Sequence, residues 1–134
     1  MLHPGAGEAF SLADDNALVL RRCFGGIRVL LLSDLGSAGE AALLARERDL
    51  RADILVTGLP GRGRPLSLEL LETAQPRLIV VADDEPSGPA RASPELRRHL
   101  LAAGIPTVFT SDEGAVTLRI GADGWKLACL SERP

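Results

Sequence analysis

Three short aliphatic runs constrain this chain most: residues 27–33 (IRVLLLS), 53–57 (DILVT) and 77–82 (RLIVVA). Each is shorter than an ordinary helix and is bounded by turn-forming residues, the pattern of strands buried in a sheet. Helix signals stand between them. Ser37-Ala38-Gly39-Glu40 has the spacing of a capping box, in which Ser37 caps a backbone N–H and Glu40 reaches back. It predicts a helix through about Arg48, with Leu43 and Leu44 facing inward. A second helix is expected over 67–74 and ended by Gln75-Pro76. Ser93-Pro94-Glu95 joins an N-cap, a proline at the first helical position and an acid at the positive end of the dipole, with Leu96 and Leu100 on the inner face. Gly104 is the left-handed stop.

Residues 17–23 (ALVLRRC) and 27–33 flank Phe24-Gly25-Gly26, the composition of a tight antiparallel hairpin. Residues 106–110, 115–120 and 125–130 are three further strands, the last two joined by Gly121-Ala122-Asp123-Gly124. This order predicts an α/β (α+β) fold: a mixed β-sheet with about three helices on at least one face. With 134 residues, 46% hydrophobic and 25% charged, the chain suits one domain spanning 1–134. At this size a chain buries roughly 65 to 70% of its unfolded surface and needs no staples. Cys23 and Cys129 are far apart in strand-like segments and form no Cys-x-x-Cys pair, so two buried reduced thiols are expected.

Charge and composition exclude several partners. Fifteen basic against 18 acidic residues leave a net charge of -3, which disfavours a general polyanion surface. The aromatic residues are Phe10, Phe24, Phe109 and Trp125, too few for a base-stacking platform, so DNA binding is expected to be weak or nil. The start, Met1-Leu2-His3-Pro4-Gly5, lacks the basic and long apolar character of a signal peptide, and no apolar stretch approaches the roughly 18 residues of a spanning helix. A soluble domain is the expectation.

Few residues carry chemistry. A catalytic zinc needs about three protein ligands, and the two histidines, His3 and His99, belong to an N-terminal strand and to the last turns of a helix. His3 is expected to pack beside Pro4, and His99 to sit at the surface near the negative end of its helix. Asp34, in a Ser33-Asp34-Leu35-Gly36 turn, suits a local hydrogen-bond acceptor. The glycine-rich stretch 58–63 lies between a strand and a helix, where backbone N–H groups can cradle an anion, and Arg62 and Arg64 add charge. It lacks the Gly-Lys-Ser/Thr ending of a P-loop. Asp14-Asp15 and Asp83-Asp84-Glu85 are carboxylate clusters of the kind that hold Mg²⁺, although such loops are ordinarily just solvated. Ser11, Ser33, Ser67, Ser93 and Ser111 have no nearby histidine base.

Several stretches in order carry a family resemblance: Leu2-His3-Pro4, Asp15-Asn16-Ala17-Leu18-Val19-Leu20, Leu31-Leu32-Ser33-Asp34, Arg51-Ala52-Asp53-Ile54-Leu55, Gln75-Pro76-Arg77, and Thr110 with Gly114-Ala115-Val116. From Leu2 to about Trp125 the chain resembles the C-terminal half of a metallo-β-lactamase-like domain, as found in ComEC-type competence proteins of DNA internalisation. The resemblance implies one half of an αβ/βα sandwich. It further implies a bacterial inner-membrane channel domain, or the missing N-terminal half of the same protein, as partner.

Active relatives hold two metal ions with a His-x-His-x-Asp-His motif from the preceding half, a bridging aspartate and later histidines. Asp34 matches the bridging aspartate, with Ser33 before it where the family has Gly. Leu59-Pro60-Gly61-Arg62 falls where the family has His-His-Gly-Ser, and Arg91-Ala92 where it has His-Pro. The resemblance therefore implies that Asp34 is a vestigial metal ligand and that the chain is a non-catalytic structural or interaction module without cofactor. The alternative is a metal-dependent nuclease or phosphodiesterase whose zinc site is completed by an absent N-terminal half or a partner. A third reading is an anion or nucleic-acid binding module using Arg62, Arg64 and Arg91. A lone half would also expose an apolar sheet face, so a homodimer through the sheet is expected.

Overall fold

The computed structural model describes residues 1–85 and 87–130. The three aliphatic runs become strands β2 (Ile27–Leu31), β3 (Ile54–Thr57) and β4 (Leu78–Val81). They pair in parallel, Val29 opposite Ile54 and Ile54 opposite Leu78, and β5 (Thr107–Phe109) joins β4 in the same sense. Strand β1 (Leu20–Phe24) runs antiparallel to β2, giving a five-stranded mixed sheet in the order β1-β2-β3-β4-β5. Gly25 and Gly26, at φ 54° and 86°, make the β1–β2 turn; two successive positive φ values match the twist of the flanking strands.

One face of the sheet is covered by α1 (Ser37–Arg46), α2 (Leu68–Ala74) and α3 (Pro94–Ala102). Leu30, Leu55 and Ile79 from the strands meet Leu43, Leu70 and Leu100 from the helices there, all at most 1% exposed. Helix α1 ends two residues before the expected Arg48. Ser67 and Ser93 cap their helices by accepting the N–H groups of Leu70 and Leu96.

The expected capping box at Ser37 does not form. Gly36 is the N-cap and offers no side chain; instead Asp15, from the loop before β1, accepts the N–H groups of Ala38 at 3.0 Å and Gly39 at 3.1 Å. Close approach requires glycine, since a Cβ at Gly36 would stand 2.4 Å from an Asp15 carboxylate oxygen and one at Gly39 2.6 Å from the Asp15 carbonyl. Glu40, released from the box, turns inward.

The closing hairpin, β6 (Ala115–Gly121) with β7 (Gly124–Leu130), is a separate two-stranded sheet. It does not extend the main sheet. A single helical turn, α4 (Thr110–Glu113), and Gly114 at φ 71° carry the chain off the end of β5 and onto the second face. Val116, Leu118, Ile120 and Trp125 there pack on Val29, Ile54, Leu78 and Val80. The Arg77 guanidinium stacks 4.7 Å from the centre of the Trp125 ring. The second face is thus apolar and largely covered from within the chain, which corrects the expectation of an open face. Leu18, Leu20 and Leu31 stay exposed on it. Both cysteines are free and exposed, not buried: Cys23 lies on the edge strand β1 and Cys129 near the end of β7, at the margins of the two sheets.

Candidate functional site

Parallel strands of an open sheet end at a common edge, and side chains in the connecting loops converge there. In this chain Asp34 follows β2, Gly58 follows β3, Asp83 follows β4 and Thr110 follows β5. Ser33 adopts a positive φ of 52°, the conformation glycine takes without strain. Its carbonyl accepts the Gly58 N–H at 2.7 Å and the Thr57 hydroxyl at 3.3 Å, which ties the β2 and β3 ends together. Asp34 is exposed beside this junction.

Between the 58–68 segment and α3 lies a cleft of about 720 Å³. Its lining includes Leu59, Pro60, Arg64, Arg91, Arg98 and His99. The segment is held from below by buried Glu40, whose carboxylate accepts the Leu66 N–H at 3.1 Å and the Ser67 N–H at 3.0 Å. Asp14 accepts the Gly61 N–H at 2.8 Å. His99, expected at the surface, instead reaches the Leu66 carbonyl through Nε2 at 2.9 Å and is half-buried, because α3 packs its last turns against this segment.

The three arginines singled out from the sequence part company here. Arg64 and Arg91 line the same cleft; Arg62 is exposed in a shallower hollow beside Asp14, Asp15 and Ser37. Arg64 pairs with Glu95, and Arg91 Nη2 lies 3.7 Å from Asp112. Arg98 and Glu95 also line the cleft, although nothing in the sequence singled them out for a site. Their only sequence signal is position on the helix that follows the β4 loop.

Of the carboxylates proposed for a hard cation, Asp14, Asp15, Asp83 and Asp84 have structural partners. Asp83, its side chain fully shielded, accepts the N–H groups of Ser111 and Ala92, the Ser111 hydroxyl and Arg97 Nη2. Burial pushes its carboxyl up, but these donors and the Arg97 charge outweigh burial and hold it below the usual range. Arg97 also donates to Asp112 at 2.6 Å and lies 3.9 Å above the Phe109 ring. Asp14 and Asp15 are committed to Gly61 and to the start of α1. His3 is strand-like as expected, bridged to Val19, and is fully buried, with Nε2 2.7 Å from the Asp15 carbonyl. Among the described residues no three His, Cys, Asp or Glu side chains gather as a metal-holding group.

No protein-family model and no curated protein matches this sequence.

Proposed function

We propose that this chain is a non-catalytic metallo-β-lactamase-like module, resembling the one attached to ComEC-type DNA-uptake channels, with a structural or interaction role. One observation carries the reading. Leu59, Pro60 and Arg91 stand where the family places metal-binding histidines, and although 31 positions separate Pro60 from Arg91, all three line one cleft. Convergence of those positions supports the resemblance, and their chemistry removes its catalytic centre. A leucine and a proline offer no side-chain donor, and a guanidinium is a permanent cation that repels a metal ion. Among the described residues Asp34 belongs to no group of three His, Cys, Asp or Glu side chains, so a zinc pair does not fit these residues and no hydrolytic step is derived through one.

As a module, the chain would engage a membrane channel domain or the N-terminal half of the same protein, with Leu18, Leu20 and Leu31 the apolar surface open to it. The nuclease alternative is weaker, because ligands supplied by a partner would still meet Leu59, Pro60 and Arg91. The test is hydrolysis of a single-stranded oligonucleotide and of an activated phosphodiester with added Zn²⁺ or Mn²⁺. Rates equal to those of the Asp34→Ala variant are expected. Metal-dependent turnover abolished by Asp34→Ala would restore the enzyme.

A further inference from the structure

The geometry points to a second role for the cleft beside α3: binding a small organic phosphate, a phosphomonoester on a short aliphatic body. Three arginines line it from three separate places, Arg64 from the loop after β3, Arg91 from the loop after β4 and Arg98 from α3. Glu95 is the one acid among its lining residues, so the cleft carries an excess of positive charge in a chain whose net charge is -3.

Arg64 is paired with Glu95 and Arg91 Nη2 lies 3.7 Å from Asp112, but the three cations are not fully satisfied. Arg91 Nη1 is shielded from solvent and has no hydrogen-bond partner, an arrangement that costs free energy unless a ligand supplies an acceptor. Arg98 makes no ion pair among the described residues. Arginines drawn from three separate segments suit a tetrahedral, multiply charged phosphate better than a planar carboxylate, which a single guanidinium fork serves.

The walls define the rest of the ligand. Leu59, Pro60, Pro65, Leu68 and Pro89 are apolar and non-aromatic, which favours an aliphatic body over a stacked base. A volume of about 720 Å³ falls among small-molecule sites, and the anchors at Glu40 and His99 hold one wall in place before any ligand arrives. The inference rests on the cleft alone and not on the family resemblance.

The test is an NMR titration of the whole chain with n-hexyl phosphate, hexanol and inorganic phosphate in parallel. Saturable shifts at cleft residues are expected with hexyl phosphate, at concentrations about tenfold below those needed for either fragment, since head and body both contribute. Arg98→Gln, at an exposed position that leaves the fold intact, should weaken hexyl phosphate about tenfold, and so should Arg91→Gln; Arg62→Gln should change nothing. Glu95→Gln, which frees Arg64, should tighten it. Equal response to hexyl phosphate and inorganic phosphate, with Arg98→Gln indistinguishable from the parent chain, would overturn the site. So would binding to phosphatidic-acid vesicles with no response to hexyl phosphate, which would mean recognition of a lipid surface and not of an enclosed small molecule. Zinc binding by the chain would remove the module reading and leave this titration unaffected.

Discussion

Asp83 concentrates the most polar chemistry on one side chain: four hydrogen bonds join the end of β4, the start of β5's exit and α3 through Arg97. Because its folded carboxyl titrates below the ordinary Asp value of about 3.9, the stability it adds is complete above that pH and lost as pH falls through the folded value. Asp83→Asn should cost about 3 kcal/mol at neutral pH and flatten the acid limb of the stability profile, measured by urea melts from neutral pH downward. Asp15→Ala should cost about 1 to 2 kcal/mol by uncapping α1, with loss of amide protection at Ala38 and Gly39. These two residues were the least legible in the sequence. The Ser37–Glu40 spacing pointed to a local cap, but the winning acceptor arrives from 23 residues upstream, and no local pattern encodes a contact of that range. The serine caps at Ser67 and Ser93 were legible because their partners lie three residues on.

At the scale of elements, the strands and helices followed from run length and capping chemistry, while the placement of the last hairpin did not. Alternation along β6 marks one apolar face but is silent on whether that face lies in the main sheet or on top of it. The single turn at Thr110–Glu113 decides the matter, and four residues ending in Gly114 give little sequence signal. The covering hairpin is half-buried along its inner row, whereas Ile54 beneath it, and Leu55 and Ile79 on the helix-covered face, are fully buried. Hydrogen exchange should therefore find β3 and β4 the last to open and β6 and β7 well before them. Leu118→Ala should cost roughly 2 kcal/mol, the low end for apolar truncation, and raise binding of a dye that reports exposed apolar surface. Unchanged dye binding would mean that the hairpin does not shield the second face.

For the molecule as a whole, no helix among the described residues is long and apolar enough to cross a membrane. For the homodimer expected from a bare sheet, the smaller strip at Leu18, Leu20 and Leu31 is the interface we propose. Sedimentation velocity of the parent chain and of Leu20→Ser/Leu31→Ser tests it: concentration-dependent association lost in the variant is expected, and a monomer throughout would exclude the strip as a self-interface. DNA association should be no tighter than about micromolar at physiological salt and should fall steeply as salt rises. The cleft was half legible. Arg64 was singled out by loop chemistry and Arg91 by the family resemblance, whereas Arg98 and Glu95 enter it only through the packing of α3 on the 58–68 segment. A dismantled metal centre at the strand ends is tested most directly by zinc analysis of the chain after loading and exhaustive dialysis. Zinc far below stoichiometric, and equal in the parent chain and Asp34→Ala, is the predicted result; about one zinc per chain, lost in Asp34→Ala, would contradict it.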